Sequence, residues 1–256
     1  MFLLPILWWA LTSIKPDSAI FDPDGPVLFD FAPTLEHYRA VFGSGSILAT
    51  DNRQAFIDTI LVASASTALA VVTGLFAAYG LSRFPSRGAR AVLWMAIFFR
   101  ILPPIVLVVP SVFLLNAVGL FNSRLGLILL HATMHAPIAV LLLKSFVDDV
   151  PREVDEAARL DGANGWQVIA RIIVPQIRGG IAATAILCFL FSFTEFLVSL
   201  FVTVSFRTIP VKLAVLANGD WGAPAALGTA ALAPAFLVIL LVQRHLVRGL
   251  TLGIQR

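Results

Sequence analysis

The sequence predicts an all-α integral membrane protein with six transmembrane helices, the first truncated at the N-terminus. Three observations carry that reading. Apolar residues make up 59% of the 256 positions, against roughly 45–50% in soluble proteins. Charged residues make up only 13%, about half the usual share, and the mean hydropathy is +0.91. The apolar residues are also gathered into runs of bilayer length. A water-soluble globule of this composition would expose one continuous apolar surface. Disorder, a collagen repeat, a coiled coil and a disulfide scaffold are excluded on the same grounds.

A hydrocarbon core of about 30 Å takes roughly 20 helical residues. Residues 1–13 are too short to cross, and they lack the basic start and small-residue cleavage pattern of a signal peptide. They are read as the end of a first span that begins upstream. An extracytoplasmic segment, 14–58, follows. Further spans are expected at 59–81, at 91–112 interrupted only by Arg100, and at 125–143 with His131 and His135. The last two are 179–203, interrupted only by Glu195, and 222–242, with a tail at 243–256. In the second span Ala70, Gly74 and Ala78 recur every fourth residue, which permits close helix contact in lipid. Pro103, Pro104 and Pro110 break or kink the third span. The carbonyls so freed are tolerated only against protein or a water-filled space, so this helix is expected to border an internal cavity.

Orientation follows from the basic residues of the connecting segments. One set holds Arg83, Arg87, Arg90, Lys144, Arg152, Arg159, Arg171, Arg178, Arg244, Arg248 and Arg256. The other holds Lys15, Arg39, Arg53, Arg124, Arg207 and Lys212. Eleven against six places the first set, and both termini, in the cytoplasm. The acids Asp17, Asp22, Asp24, Asp30 and Glu36 then lie outside. The net charge of +3 is accounted for in this way, and no nucleic acid is expected as a partner. The single cysteine, Cys188, sits in an apolar run and is read as a packing thiol.

The cytoplasmic segment 148–178 is far longer than the two to eight residues a bare helix connection takes. Its residues spell two short helices with a sharp corner. Pro151 suits a first turn, and acids gather near it, where the helix dipole favours them. Arg152 and Glu156, and Asp155 and Arg159, stand four apart and can pair. Gly162 supplies a left-handed stop, Asn164 caps the second helix with Gln167 at the capping-box position, and Pro175 ends it. Val154, Ala157, Ala158 and Leu160 form an apolar side too small to be a core. Adjacent alanines let a second surface approach closely, and Glu156 and Asp161 place charge at the rim. This is the pattern of a docking element for a soluble partner, with an amphipathic hairpin on the bilayer as the alternative.

The segment resembles the signature of the permease subunits of binding-protein-dependent ATP-binding-cassette importers. That signature is Glu-Ala-Ala, three residues, Gly, nine residues, Ile, one residue, Leu-Pro. Here it is Glu156-Ala157-Ala158, Gly162, Ile172 and Val174-Pro175, with every spacing kept and valine for leucine. Leu11 through Pro16, Arg100 ahead of Pro103-Pro104, Gly119-Leu120, Gly126-Leu127-Ile128-Leu129, Asp161-Gly162-Ala163 and Ile209-Pro210-Val211 are similar to the carbohydrate branch, the maltose and trehalose type. The chain departs from that branch at Phe193-Thr194-Glu195-Phe196, where Trp-Asn-Glu-Phe is usual. It departs again at Gly179-Gly180, where a proline is usual, which is expected to loosen the start of the fifth span.

The resemblance implies a non-catalytic subunit paired with a second homologous permease, above two ATPase subunits and below an extracytoplasmic sugar-binding protein. It implies a coupling helix formed by Glu156, Ala157, Ala158, Arg159, Asp161, Gly162 and Ala163, and a multi-pass protein of a bacterial or archaeal plasma membrane. No Gly-x4-Gly-Lys-Ser/Thr loop occurs in the sequence. ATP and Mg are therefore assigned to the partner subunits, and no cofactor to this chain. Polyols, glycerol phosphates or peptides are the alternative cargoes within the class.

Glu195 and Arg100 are the charges deep in spans. Such groups face the bundle interior or a water path, so the two either pair with each other or line the substrate route. A secondary carrier relaying protons through them is the rival reading. His131 and His135 stand four apart, but no Glu follows the first and no third ligand is evident, so polar contacts with neighbouring helices are expected rather than a metal. Asn116 and Asn218, near outer span ends, are candidates for bonding sugar or binding protein.

Overall fold

The computed structural model describes residues 4–23, 29–43, 47–216 and 221–252. Asp24, Asn218 and Arg256, named above, lie outside them. The described chain is helical throughout its regular structure, with no strand among those residues. Three short helices come first: α1 (Leu4–Thr12), α2 (Asp17–Ile20) and α3 (Glu36–Phe42). The long α4 (Ile47–Arg83) follows, then α5 (Arg87–Ile101), α6 (Pro104–Ala117) and α7 (Arg124–Asp148). Ser86 and Ser123 cap α5 and α7 by accepting the amide N–H groups of Ala89 and Gly126, both at 3.0 Å, so each chain direction is set by a local residue.

Two helices are each long and apolar enough to cross a bilayer, Asp51–Arg83 within α4, and Arg124–Asp148. Two pairs of helices reach that standard only together. The expected third span, 91–112, runs over α5 and α6, between which the chain turns by 102°. The turn falls at Leu102, held extended ahead of Pro103 as pre-proline sterics require, while Pro110 is absorbed inside α6. The second bent pair is Gly165–Gln176 with Arg178–Phe193, turning by 83°. The stretch 179–203 is also divided: α11 (Arg178–Phe193) ends at Thr194, and a short α12 (Leu197–Val202) follows. The chain closes with α13 (Ile209–Leu216) and α14 (Gly222–Leu252).

The core lies where α4, α7 and α11 meet. Ala70, Gly74 and Ala78 are buried on one face of α4. A Cβ on Gly74 would stand 2.9 Å from that of Ala139 on α7, so the small-residue stripe does allow the backbones their close approach. Gly180 plays the same part at the start of α11, where a Cβ would overlap the ring of Phe146. Gly180 thus lets the start of α11 approach the Phe146 ring of α7 closely. Cys188 is buried within α11.

Candidate functional site

The segment between α7 and α11 builds a corner from local rules and then ties it to a distant helix. Pro151 stands just ahead of α8 (Arg152–Leu160) at its N-cap. At the other end Gly162 takes φ +88°. Its amide N–H donates to the Arg159 carbonyl and that of Ala163 to the Ala158 carbonyl, both at 3.0 Å. This is the paired closure that ends a helix on a left-handed residue. The capping box is complete: Gln167 N–H donates to Asn164 Oδ1 at 2.9 Å, and Asn164 N–H to Gln167 Oε1 at 2.8 Å. Beyond the one-turn α9 (Gly165–Gln167), residues Val168–Ile173 form a π-helix, followed by α10 (Val174–Gln176). The wider register lets Val174 N–H reach Ile169 just before Pro175, whose missing N–H and ring would disturb an α-helical turn. Pro175 therefore sits inside the helical run, and the chain turns two residues later, at Ile177.

The corner presents Glu156, Ala157, Arg159, Leu160, Asp161 and Gly162 outward, with Leu160 89% exposed. Ala158 faces inward, packed with Tyr79, Val147, Val150 and Ile173 in the core cluster, and Ala163 lies half-buried against that cluster. The two adjacent alanines thus divide their work, one facing out and one packed inward. Beside Gly162 a shallow hollow of about 270 Å³ is lined by Asp161, Gln167, Arg171 and Ile172. Trp166 stacks on Phe76 of α4, ring centroids 5.6 Å apart.

The local ion pairs expected within α8 do not form. Asp155 is buried, and its carboxylate takes Arg83 Nε at 2.8 Å, Arg83 Nη2 at 3.3 Å and the Tyr79 hydroxyl at 3.0 Å, all from the end of α4. Arg152 donates to the Ser82 carbonyl at 2.8 Å, and Arg159 reaches the Tyr79 oxygen at 3.4 Å. A bidentate guanidinium–carboxylate pair out of water outcompetes an exposed pair four residues apart, which is worth only a few tenths of a kcal/mol. Close by, Asp148 accepts from Ser82 Oγ at 2.6 Å and Lys144 Nζ at 2.5 Å. Burial pushes the Asp148 carboxyl up, but these two bonds together with the charges of Lys144 and Arg83 outweigh it and hold it below its ordinary value. The sequence marks Arg83 only as an orientation charge, and nothing local ties it or Tyr79 to Asp155; packing alone brings them together.

Glu195 and Arg100 do not pair. Glu195 is drawn to the start of α12, where its carboxylate accepts from Val198 N–H at 2.8 Å, Ser199 N–H at 3.0 Å and Ser199 Oγ at 2.8 Å. His131 Nε2 stands 3.4 Å away. On its other side His131 Nδ1 meets Ser192 Oγ at 2.7 Å, which in turn meets Ser66 Oγ at 3.0 Å. The guanidinium of Arg100 instead lies 4.5 Å over the Phe191 ring. It lines a cavity of about 500 Å³ between α5, α6 and α7, with Met95, Phe99, Ser111 and Met134. Asn116 is exposed and donates back to the Val112 carbonyl at 2.9 Å, and of the three candidate route residues only Arg100 lines that cavity. His135 is buried with no hydrogen-bond partner among the described residues, where polar contacts were expected for both histidines. Among those residues no three His, Cys, Asp or Glu side chains converge as a metal site requires. At the opposite end of α4, Asp58 accepts from Arg124 Nε at 2.6 Å and Nη2 at 3.1 Å. The pair borders a polar pocket of about 450 Å³ with Asp51, Phe206, Arg207 and Lys212.

The chain thus sets an outward corner, closed on a left-handed glycine, on helices long and apolar enough to cross a membrane. Residues 70–252 match the family of binding-protein-dependent transport system inner membrane components, and the chain belongs to it. The trehalose transport system permease protein SugB of Mycobacterium tuberculosis is 33% identical over 98% of this chain and 91% of its own length. The trehalose/maltose transport system permease protein MalG of Thermococcus litoralis is 28% identical over 98% of this chain and 90% of its own. In fold the chain is similar to a chain of a bacterial ABC transporter involved in the import of the acidic polysaccharide alginate. That likeness has a TM-score of 0.75 at 18% identity, covering 95% of this chain and 90% of that one.

Proposed function

We propose that this chain is a membrane-spanning permease subunit of an ATP-driven sugar importer, forming half of the translocation path. It crosses the plasma membrane six times with both termini cytoplasmic, pairs with a second homologous permease, and receives sugar from an extracytoplasmic binding protein. Two ATPase subunits carry ATP and Mg, and one of them seats the corner formed by Glu156, Ala157, Arg159, Asp161 and Gly162 in a cleft, with Ala158 and Ala163 shaping it from behind. The observation that carries the reading is that corner. Its backbone is fixed by a paired closure and a capping box, yet Glu156, Ala157, Leu160, Asp161 and Gly162 on its outer face stay exposed among the described residues. The carbohydrate cargo is supported by the two relatives whose names specify trehalose and maltose.

Closure of the ATPase pair on ATP would pull the corner and shift the spans between two states. Driving such an equilibrium from 1:99 to 99:1 takes about 5.5 kcal/mol of differential binding, so the corner must hold its shape under load. Glu195, Arg100 and Asn116 remain the proposed contacts with the sugar route. A proton relay through Glu195 and Arg100 is the weaker alternative, since no bond joins the two. The test is purification of the complex from its host in mild detergent, together with uptake assays. ATPase subunits are expected to accompany the chain, and uptake to survive an uncoupler while ATP is present. Absence of any ATP-hydrolysing companion, or uptake abolished by the uncoupler alone, overturns the proposal.

A further inference from the structure

We propose that Arg83, Asp155 and Tyr79 form the joint through which movement of the corner reaches the membrane helices, with Arg83 and Asp155 as positioning residues for transport. This rests on the docking role proposed above. The corner is continuous in sequence with α7 and α11, through a short loop on one side and a bent helical run on the other. On the α7 side the chain leaves the helix through Asp149, Val150 and Pro151. On the α11 side it passes through the π-helical stretch and an 83° turn. Ala158 and Val154 pack on the buried residues of that π-helical stretch, whereas the side-chain hydrogen bonds and ion pair of α8 go to α4, which ends 69 residues before α8 begins.

A nine-residue helix has little stability alone, and the apolar contact behind α8 is small, made by Val154 and Ala158. Apolar contact is also non-directional, so it resists separation but permits sliding. Directional bonds fill that gap at successive points along α8. Arg152 holds the Ser82 carbonyl at its start, Asp155 takes three donors at its middle, and Arg159 meets Tyr79 near its end. Arg83 closes the set by donating to the Val150 carbonyl at 2.9 Å, ahead of the helix.

The charges argue for geometry over bare adhesion. Glu153, Glu156 and Asp161 are exposed, whereas the Asp155 and Arg83 side chains are each only 6% exposed. A buried ion pair is poor evidence for stability, because apolar residues of similar volume usually hold as well. What the fork of a guanidinium on a carboxylate supplies is a fixed orientation. Pulling or rotating α8 therefore turns the end of α4 with it instead of slipping across it.

The test uses the whole complex, with its ATPase subunits and binding protein, in lipid nanodiscs and proteoliposomes. The readouts are the ratio of ATPase activity with sugar-loaded binding protein to that without, and sugar imported per ATP. A wild-type complex with no such stimulation overturns the docking role, and the joint falls with it. Given a stimulated wild type, Asp155→Asn and Arg83→Gln are each expected to lower the ratio about tenfold, in the middle of the range for an allosteric coupling. Sugar per ATP falls alongside, and the ATPase subunits still co-purify. The exchanged pair, Arg83→Asp with Asp155→Arg, should recover most of the ratio. Tyr79→Phe removes one hydroxyl and is expected to cost about fivefold, the share of one hydrogen bond; it also serves if the charge variants fail to accumulate. Wild-type coupling in Tyr79→Phe or in either single charge variant overturns the joint. So does an exchanged pair no better than the single variants, or loss of the ATPase subunits from all of them.

Discussion

Replacing Gly162 with valine tests the corner's geometry without touching the core. A Cβ at this position meets no atom within 4 Å, yet the backbone stands at φ +88°, so the whole effect is conformational. A residue with a side chain pays about 1–2 kcal/mol in the left-handed region, and a β-branched one sits at the upper end or beyond. If the chain escapes that strain by unwinding, it gives up the two 3.0 Å bonds from Gly162 and Ala163 to the last turn of α8, at about 1 kcal/mol each. Either route reaches about 2 kcal/mol, which lowers the ratio of native corner to alternatives about thirtyfold. Val168, Ile169 and Ile173 behind the corner stay buried, so assembly in the membrane should persist. The assay is sugar-stimulated ATPase activity of the reconstituted complex across Gly, Asn, Ala and Val at 162. Stimulation should fall in that order, with Asn near wild type because it tolerates the left-handed region. Equal stimulation in Gly and Val, or Asn below Val, refutes the reasoning.

Gly180→Val places a branched side chain where the Phe146 ring already lies. It should cost about 1–3 kcal/mol by overpacking, visible as a lower melting temperature of the detergent-solubilised protein. Glu195→Ala orphans the Val198 and Ser199 N–H groups at the start of α12. A capping role predicts a stability loss of about 1–2 kcal/mol that Glu195→Gln largely restores. A role in the sugar route predicts instead an unchanged melting temperature and a shifted transport KM. For Asp148 the folded-state pKa is depressed, so its contribution is present above the ordinary carboxylate range and is lost as pH falls through the lower folded value. Melting temperatures measured from pH 6 downward should fall in strong acid, and Asp148→Asn should flatten that slope.

Legibility in the sequence followed the range of the interaction. Gly162, Asn164 and Gln167 were readable because a helix stop and a capping box are made within four residues. The partner of Asp155 was not, because sequence neighbours suggested Arg159 while the donor sits 72 positions earlier. Only the packing of α4 on the corner brings it near. The clustered prolines announced a break within 91–112, but hydropathy carries no direction, so the 102° turn came from the structure. Glu195 carries a local signal as well. It stands three residues before one of the N–H groups that donate to it, the spacing of a cap, yet a charge among apolar residues points equally to a substrate route. At Gly179-Gly180 the missing proline suggested looseness, and the ring waiting across the gap could not be seen in one dimension.

The 37 residues of α4 run about 55 Å as one unbroken rod, and proline is absent from its length. Two other apolar runs yield part-way: α5 meets α6 at a sharp bend, and the run into α11 turns before it straightens. One tip of the rod is bolted to the corner; the other carries Asp51, Asp58 and the polar pocket they share with Arg124. A tilt of about 10° at the bolted tip sweeps the far tip through roughly 10 Å, enough to reshape that pocket with no intermediate relay. Spectroscopic labels at the two tips should therefore move in the same step, like the ends of a seesaw.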